Sequence, residues 1–181
     1  VLVGDGARAE QRAGGQRARF RRVGQQLGER ELHVLAGLGP AEQLAVVTQA
    51  EPENVYALEM LGEAYNQLEN YQKAADTYAK IIKINPDDKQ NLCQYAISLR
   101  MLGQYTEAMR QVQKALRIDP NYGLAYLARG LTFEIAADRC VKQNKDEKLL
   151  FDDKLVYEQA YNAYREATKD PFFSTDARRY M

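Results

Sequence analysis

The sequence predicts an all-α fold built from stacked helix hairpins, and three observations lead to that class. Apolar residues recur at the 3.6-residue period of an amphipathic helix through residues 54–84. The pattern then recurs at a fixed interval, so that Leu58 and Pro86 correspond to Leu92 and Pro120. Each period closes on a proline, which cannot continue a helix interior because it lacks the N–H and its ring clashes one turn back. A fixed period of this size is typical of a repeat array.

The positions of prolines and glycines predict where the helices begin and end. Pro40 suits the first turn of a helix at 41–50, and Gly103 permits a tight turn between two helices of a hairpin. In the regular repeats we expect helices at 55–67, 71–84, 89–101 and 105–118. The whole chain is expected to divide into a Gly/Arg-rich irregular lead-in at 1–39, a partial repeat at 40–54, repeats at 55–88, 89–122 and 123–173, and a terminal helix at 174–181 with Ser174 as its N-cap.

The third repeat departs from the period. Gly62 and Ala74 of the first repeat correspond to Gly130 and Ala160, which lie much further apart, so the third repeat carries an insertion near 138–156. Apolar residues flank a polar stretch, KQNKDEK, on both sides, which predicts a lengthened hairpin with the polar stretch at its tip. An even split would add about nine residues to each helix. A disordered loop is the alternative.

The lead-in at 1–39 holds eight of the chain's 12 Gly and seven Arg against four acidic residues. An Arg-rich arm that contacts phosphates is one interpretation. An irregular, poorly ordered segment is the favoured one, because Phe20 is the single interleaved aromatic and offers no stacking platform. His33, the only histidine, has no second ligand or nucleophile near it and is interpreted as a surface or packing residue.

Composition excludes several classes of function. The net charge is zero, which gives no general argument for nucleic acid or an anionic membrane, and no run approaches the roughly 20 apolar residues of a membrane span. Cys93 and Cys140 lack metal-ligand spacing and are expected to be free, buried thiols. That use of cysteine fits a reducing compartment, so a cytoplasmic location is expected. The chain begins at Val1 rather than Met, which leaves open that it is a fragment and that a signal segment has been lost.

These residues resemble the tetratricopeptide repeat (TPR) pattern W-x2-L-G-x2-Y, A-x3-F and P. The matching residues of the first repeat are Leu58, Leu61, Gly62, Tyr65, Ala74, Tyr78 and Pro86. Leu stands for Trp and Tyr for Phe. The second repeat matches more loosely, with Ala108 and Pro120 retained, and the resemblance covers about 50–171. It implies a right-handed superhelix, an α-solenoid, whose first helices line a concave groove that binds a peptide segment or docks another subunit.

The resemblance also implies which residues line that groove: Tyr56, Glu59, Glu63, Asn66, Gln67, Gln90, Cys93, Ile97, Arg100, Met101, Leu124, Leu127, Leu131, Glu134 and Ile135. Some TPR co-chaperones hold a carboxylate with Lys, Asn and Arg at such positions, but Glu59, Glu63 and Ala128 stand there in this chain, which disfavours that clamp. The Leu124-to-Ile135 stripe either grips an apolar partner segment or is covered by the chain's next helix.

The sequence therefore predicts a non-catalytic protein–protein interaction module, a scaffold or adaptor, with a protein or peptide partner. It contains no Gly-rich phosphate loop, no paired metal ligands and no nucleophile with a histidine partner, so no enzyme activity, cofactor, metal or small-molecule substrate is expected. Self-association through exposed terminal repeats is compatible with the pattern. Two alternatives remain: an RNA- or phosphate-binding protein that uses the Arg-rich arm, and the non-catalytic part of a larger enzyme.

Overall fold

A computed structural model describes residues 39–143 and 151–181, and all the regular secondary structure of these residues is α-helical. The helices are α1 (Pro40–Ala50), α2 (Val55–Gln67), α3 (Tyr71–Ile84), α4 (Lys89–Met101), α5 (Tyr105–Ile118), α6 (Gly123–Gln143), α7 (Phe151–Ala167) and α8 (Ser174–Arg178). The helices expected for the two regular repeats are confirmed. Apart from Gly39, the predicted lead-in, with its Arg-rich arm and His33, lies outside the described residues.

The chain divides into two compact units between Ala57 and Leu58. In the first unit α1 begins after Gly39 with Pro40 in its first turn, as the missing proline N–H allows. Val47 on α1 packs against Ala57, and both are buried. This small contact is the apolar core of the described part of that unit.

The second unit contains three helix hairpins, with clusters of buried apolar residues between them. Hairpin 1 is α2 with α3, hairpin 2 is α4 with α5, and hairpin 3 is α6 with α7. The largest buried cluster takes residues from four helices: Ala75, Leu92, Cys93, Ala96, Leu99, Ala108, Val112, Ala115, Ala125 and Ala128. Most members are alanines, which let the helix backbones approach closely. No hairpin could bury its apolar face alone, so the stacking of neighbours supplies the core.

A glycine–tyrosine pair brings the two helices of a hairpin together in both hairpins 1 and 3. A Cβ on Gly62 would lie 2.8 Å from the Tyr78 ring, and a Cβ on Gly130 would overlap the Tyr164 ring. Both tyrosines are 2% exposed. The repeat therefore uses glycine at this position because the facing ring occupies the space of a side chain.

Hairpin 3 is lengthened, as predicted, in the part that the structure describes. Helix α6 has 21 residues against 13 in α4, whereas α7 has 17 against 14 in α5. Most of the predicted polar tip falls at 144–150, outside the described residues. The added part of α6 rests on hairpin 2, where the Arg139 guanidinium lies 5.5 Å from the centre of the Tyr105 ring. At the base of the hairpin, Gly123 N donates to Asp170 Oδ2 at 2.9 Å.

Two local predictions are wrong. Ser174 is the first residue of α8 rather than its N-cap, which is Phe173. The Ser174 hydroxyl donates to the Pro171 carbonyl at 3.4 Å and so caps no helix amide, and α8 ends at Arg178. Cys140 is exposed, whereas Cys93 is buried as expected and burial raises its pKa to about 12.

Equivalent turns of hairpins 1 and 2 make a matched test of backbone conformation. Glu69 and Gly103, which occupy the same position in successive repeats, both have positive φ, at 57° and 77°. Only glycine adopts this region without a steric cost. We therefore expect Glu69→Gly to raise the free energy of unfolding by about 0.5–1 kcal/mol in urea unfolding followed by circular dichroism. Gly103→Ala, whose methyl group would also meet the Arg139 side chain, is expected to lower it by about 1–2 kcal/mol.

The control for this prediction is Glu63→Gly, at an exposed interior position of α2. There glycine is expected to lower the free energy of unfolding by about 1 kcal/mol. If Glu69→Gly lowers the free energy of unfolding by a similar amount, the left-handed backbone conformation of Glu69 in the turn after α2 is wrong.

Candidate functional site

The first helices of the three hairpins, α2, α4 and α6, adjoin one another in series. Between α2 and α4, Asn91 Nδ2 donates to Glu59 Oε1 at 2.7 Å and Ser98 Oγ donates to Asn66 Oδ1 at 2.9 Å. Helix α4 in turn contacts α6. We call the surface that carries the expected groove residues of these helices from Glu59 to Leu131 the first-helix surface.

The α2 end of this surface is polar. Glu59 is half-buried and is held by Asn91, which is 2% exposed and also donates to Asp88 Oδ2 at 2.9 Å. Glu63, one turn further along α2, is exposed, as are Gln67 and Gln90. Glu59 and Asn66 thus join neighbouring hairpins, whereas Glu63 and Gln90 present their side chains to solvent. Tyr56, near the start of α2, belongs to the first compact unit and is half-buried.

The middle of the surface is mixed. Cys93 is fully buried and cannot reach a partner, while Ile97 packs on the main core cluster and is half-buried. Arg100, in the last turn of α4, is half-buried, and its Nε is buried without a hydrogen-bond acceptor in the described part of the chain. Burial lowers the pKa of Arg100 from its ordinary value. Met101 is half-buried beside it.

The α6 end is apolar and is packed against the chain itself. Leu127 is buried with Ala160 and Ala177, and Leu124 and Leu131 pack on the same cluster. Ala177 comes from α8, the helix that follows hairpin 3. The chain's own helices therefore contact this part of the leucine stripe. Ile135, the last residue of the stripe, is half-buried.

Two tyrosines near this surface, Tyr71 and Tyr180, were not among the expected groove residues. Both interact electrostatically with Arg100, as do Glu134 and Tyr164. Tyr164 belongs to the apolar pattern of the third repeat, and Tyr180 stacks on it with ring centroids 5.3 Å apart. No sequence pattern could have placed Tyr180, because its position depends on how the segment after hairpin 3 packs.

A cleft of about 500 Å³ lies outside the first-helix surface, where the lengthened hairpin passes hairpin 2. Its lining includes Tyr105, Thr106, Met109, Phe133, Ala136 and Val156. None of the expected groove residues lines it. Over the described ranges, no cluster of His, Cys, Asp or Glu could hold a metal ion, and no helix there has the length and apolarity to cross a membrane.

Comparison with protein families and curated proteins matches the repeat region. Residues 56–121 match the family described as YpiA-like, C-terminal tetratricopeptide repeats. The chain is 30% identical over 79 residues to Superkiller complex protein 3 of Mus musculus and 36% identical over 72 residues to a DnaJ homolog subfamily C member 7 homolog of Dictyostelium discoideum. These alignments cover 44% and 38% of this chain but 5% and 13% of those proteins, so the chain spans a small part of the relatives that it matches.

Comparison with solved structures concerns the fold alone, because the identities are low. A crystal structure of MamA matches with a TM-score of 0.55 at 18% identity, covering 78% of this chain and 71% of that one. A second MamA structure has a TM-score of 0.52 at 18% identity, covering 84% and 81% of the two chains. The likeness agrees with the hairpin stacking of the second unit, and the predicted all-α solenoid is confirmed.

Proposed function

We propose that the protein is a non-catalytic protein–protein interaction module, because residues 56–121 match the family described as YpiA-like, C-terminal tetratricopeptide repeats. In this proposal a peptide segment or a partner subunit binds on the first-helix surface, and the protein acts as a scaffold or adaptor. The proposal takes both its partner class and its site from the repeat family, and the residues of that site lie on α2, α4 and α6.

The observation that carries the proposal is that the first helices are buried on one face and exposed to solvent on another. One face of α4 is buried in the main cluster, with Leu92 and Ala96 at 0% exposure. Glu63 on α2 and Gln90 on α4 are exposed to solvent and take no part in the buried core. Adjoining helices that are packed in the core on one face and exposed to solvent on the other offer a long surface on which an extended or helical segment can bind.

A selection from a random linear peptide library tests the proposal, with the full chain as immobilised target. We expect selected peptides to bind the wild-type chain and to lose about 1 kcal/mol or more of binding free energy, measured by fluorescence anisotropy, with Glu63→Lys. Reversing this exposed charge alters the proposed surface without touching the buried cluster.

The matched control is Glu158→Lys, which makes the same charge reversal on an exposed position of α7, a helix that is not part of the first-helix surface. It is expected to leave the affinities unchanged. If no peptide is selected, or if Glu63→Lys leaves every selected peptide bound as tightly as before, binding on the first-helix surface is wrong.

A further inference from the structure

Arg100 stands apart from the other arginines of the described chain in its surroundings. Its Nε is buried with no hydrogen-bond acceptor, and no described carboxylate lies within ion-pair distance of the guanidinium. By contrast, Arg110 is paired with Glu107. The Nε of Arg129 is also buried without an acceptor, but that guanidinium lies over the Phe133 ring, 5.6 Å from its centre.

Groups from hairpins 1 and 3 interact electrostatically with the Arg100 guanidinium, which belongs to hairpin 2. Tyr71 comes from hairpin 1, Glu134 and Tyr164 come from hairpin 3, and Tyr180 follows α8; each interacts electrostatically with Arg100. Glu134 is the only carboxylate among them, and it already accepts the hydroxyl hydrogen of Tyr164 at 2.5 Å. The Nε of Arg100 thus has no acceptor within the described chain, and the one carboxylate among these groups is already engaged by Tyr164.

Arg100 is half-buried, and a partly buried guanidinium that forms no ion pair with the described residues is suited to an acceptor from outside the chain. Arginine is almost never fully buried unless it is paired, and buried polar groups are hydrogen-bonded as a rule. Its planar fork matches a carboxylate with two parallel N–H···O bonds, which are among the stronger hydrogen bonds in proteins. Aromatic neighbours exclude water and lower the local dielectric, which strengthens such a pair. Arg100 is still partly exposed and Tyr180 is 47% exposed, so the site can be reached from solvent.

We propose that Arg100 anchors an acidic side chain, Asp or Glu, of the partner segment that binds on the first-helix surface. This rests on the proposed function and adds the chemistry that the surface recognises. In this proposal the anchored group is a side chain rather than a chain end, so the anchored residue can lie inside a segment that crosses from one hairpin to the next.

The same peptide selection tests this assignment, with amidated C-termini in the binding measurements. The wild-type chain is expected to enrich peptides with one recurrent Asp or Glu. Replacing that residue by Asn or Gln in the peptide is expected to weaken binding to the wild-type chain roughly tenfold or more, since a charge-assisted bidentate pair is lost. This arm leaves the protein unaltered, so it does not depend on the folding of a variant.

On the protein side, Arg100→Gln is expected to bind the acidic and the amide peptide equally weakly, and Arg100→Lys to retain part of the preference. The control is Arg117→Gln, at an exposed arginine in the last turn of α5, which is expected to keep the full preference. Thermal unfolding of each variant, followed by circular dichroism, checks that the variant is folded under the conditions of the binding measurement.

The outcomes separate the two proposals. Peptides that bind and respond to Glu63→Lys, but show no acidic enrichment, overturn the Arg100 assignment and leave the proposed function standing. An acidic preference that persists in Arg100→Gln also overturns it, as does binding that is lost when the peptide C-terminus is amidated. If no peptide is selected at all, both proposals fall.

Discussion

Truncation of Leu92 to alanine is expected to lower the free energy of unfolding by about 2–5 kcal/mol. Leu92 is 0% exposed and lies in the cluster that joins α3, α4, α5 and α6. Its neighbours there are mostly alanines, which have no side-chain freedom to fill the cavity that the truncation leaves. The loss of apolar burial is therefore compounded by the cavity, and urea unfolding followed by circular dichroism measures the sum.

Two further variants serve as controls for this prediction. Leu92→Met conserves most of the volume and is expected to cost less than about 1.5 kcal/mol. Met60→Ala, at a side chain that is 38% exposed on α2, is expected to cost about 0.5 kcal/mol or less. A cost below about 1 kcal/mol for Leu92→Ala would mean that the stacked hairpins do not depend on this cluster.

The helices were predictable from sequence because their signals are local. Apolar residues spaced at the helical period mark the buried stripes, and the prolines near the hairpin ends mark where each repeat closes. The same residues then meet in the core: Leu92, Ala108 and Val112 are all fully buried. The recurrence of the pattern from one repeat to the next adds information, since it places each helix by analogy with its neighbour. At Gly62, one of the recurrent positions, the absence of a side chain leaves the space that the Tyr78 ring occupies.

The candidate site was less predictable because it depends on contacts between distant parts of the chain. The repeat pattern predicts which residues of α2, α4 and α6 belong to the candidate site, but it does not predict how exposed their side chains are. Leu127 is buried because α7 and α8 pack on it, and Asn66 is engaged because Ser98 lies opposite it. The surroundings of Arg100 need Tyr71 and Tyr180, which come from other parts of the chain and have no pattern that links them to it.

The second large effect is expected at Tyr164, which connects the core of hairpin 3 to the first-helix surface. Its ring is 2% exposed, covers Gly130 and stacks on Tyr180, while its hydroxyl donates to Glu134. Tyr164→Ala is expected to lower the free energy of unfolding by about 3–5 kcal/mol, as for other buried aromatic residues. Tyr164→Phe keeps the ring and removes one hydrogen bond to a charged acceptor, so a loss of about 1.5–3 kcal/mol is expected in the same urea experiment.

The glycine that faces this ring provides the control. In the wild-type chain, Gly130→Ala is expected to lower the free energy of unfolding by about 1–3 kcal/mol, because the new methyl group overlaps the Tyr164 ring. In the Tyr164→Ala background the ring is gone, and the same substitution is expected to raise the free energy of unfolding by up to about 1 kcal/mol through helix propensity. The sign of the Gly130→Ala effect should therefore reverse between the two backgrounds. An effect of the same sign in both would show that the ring does not set the spacing of α6 and α7.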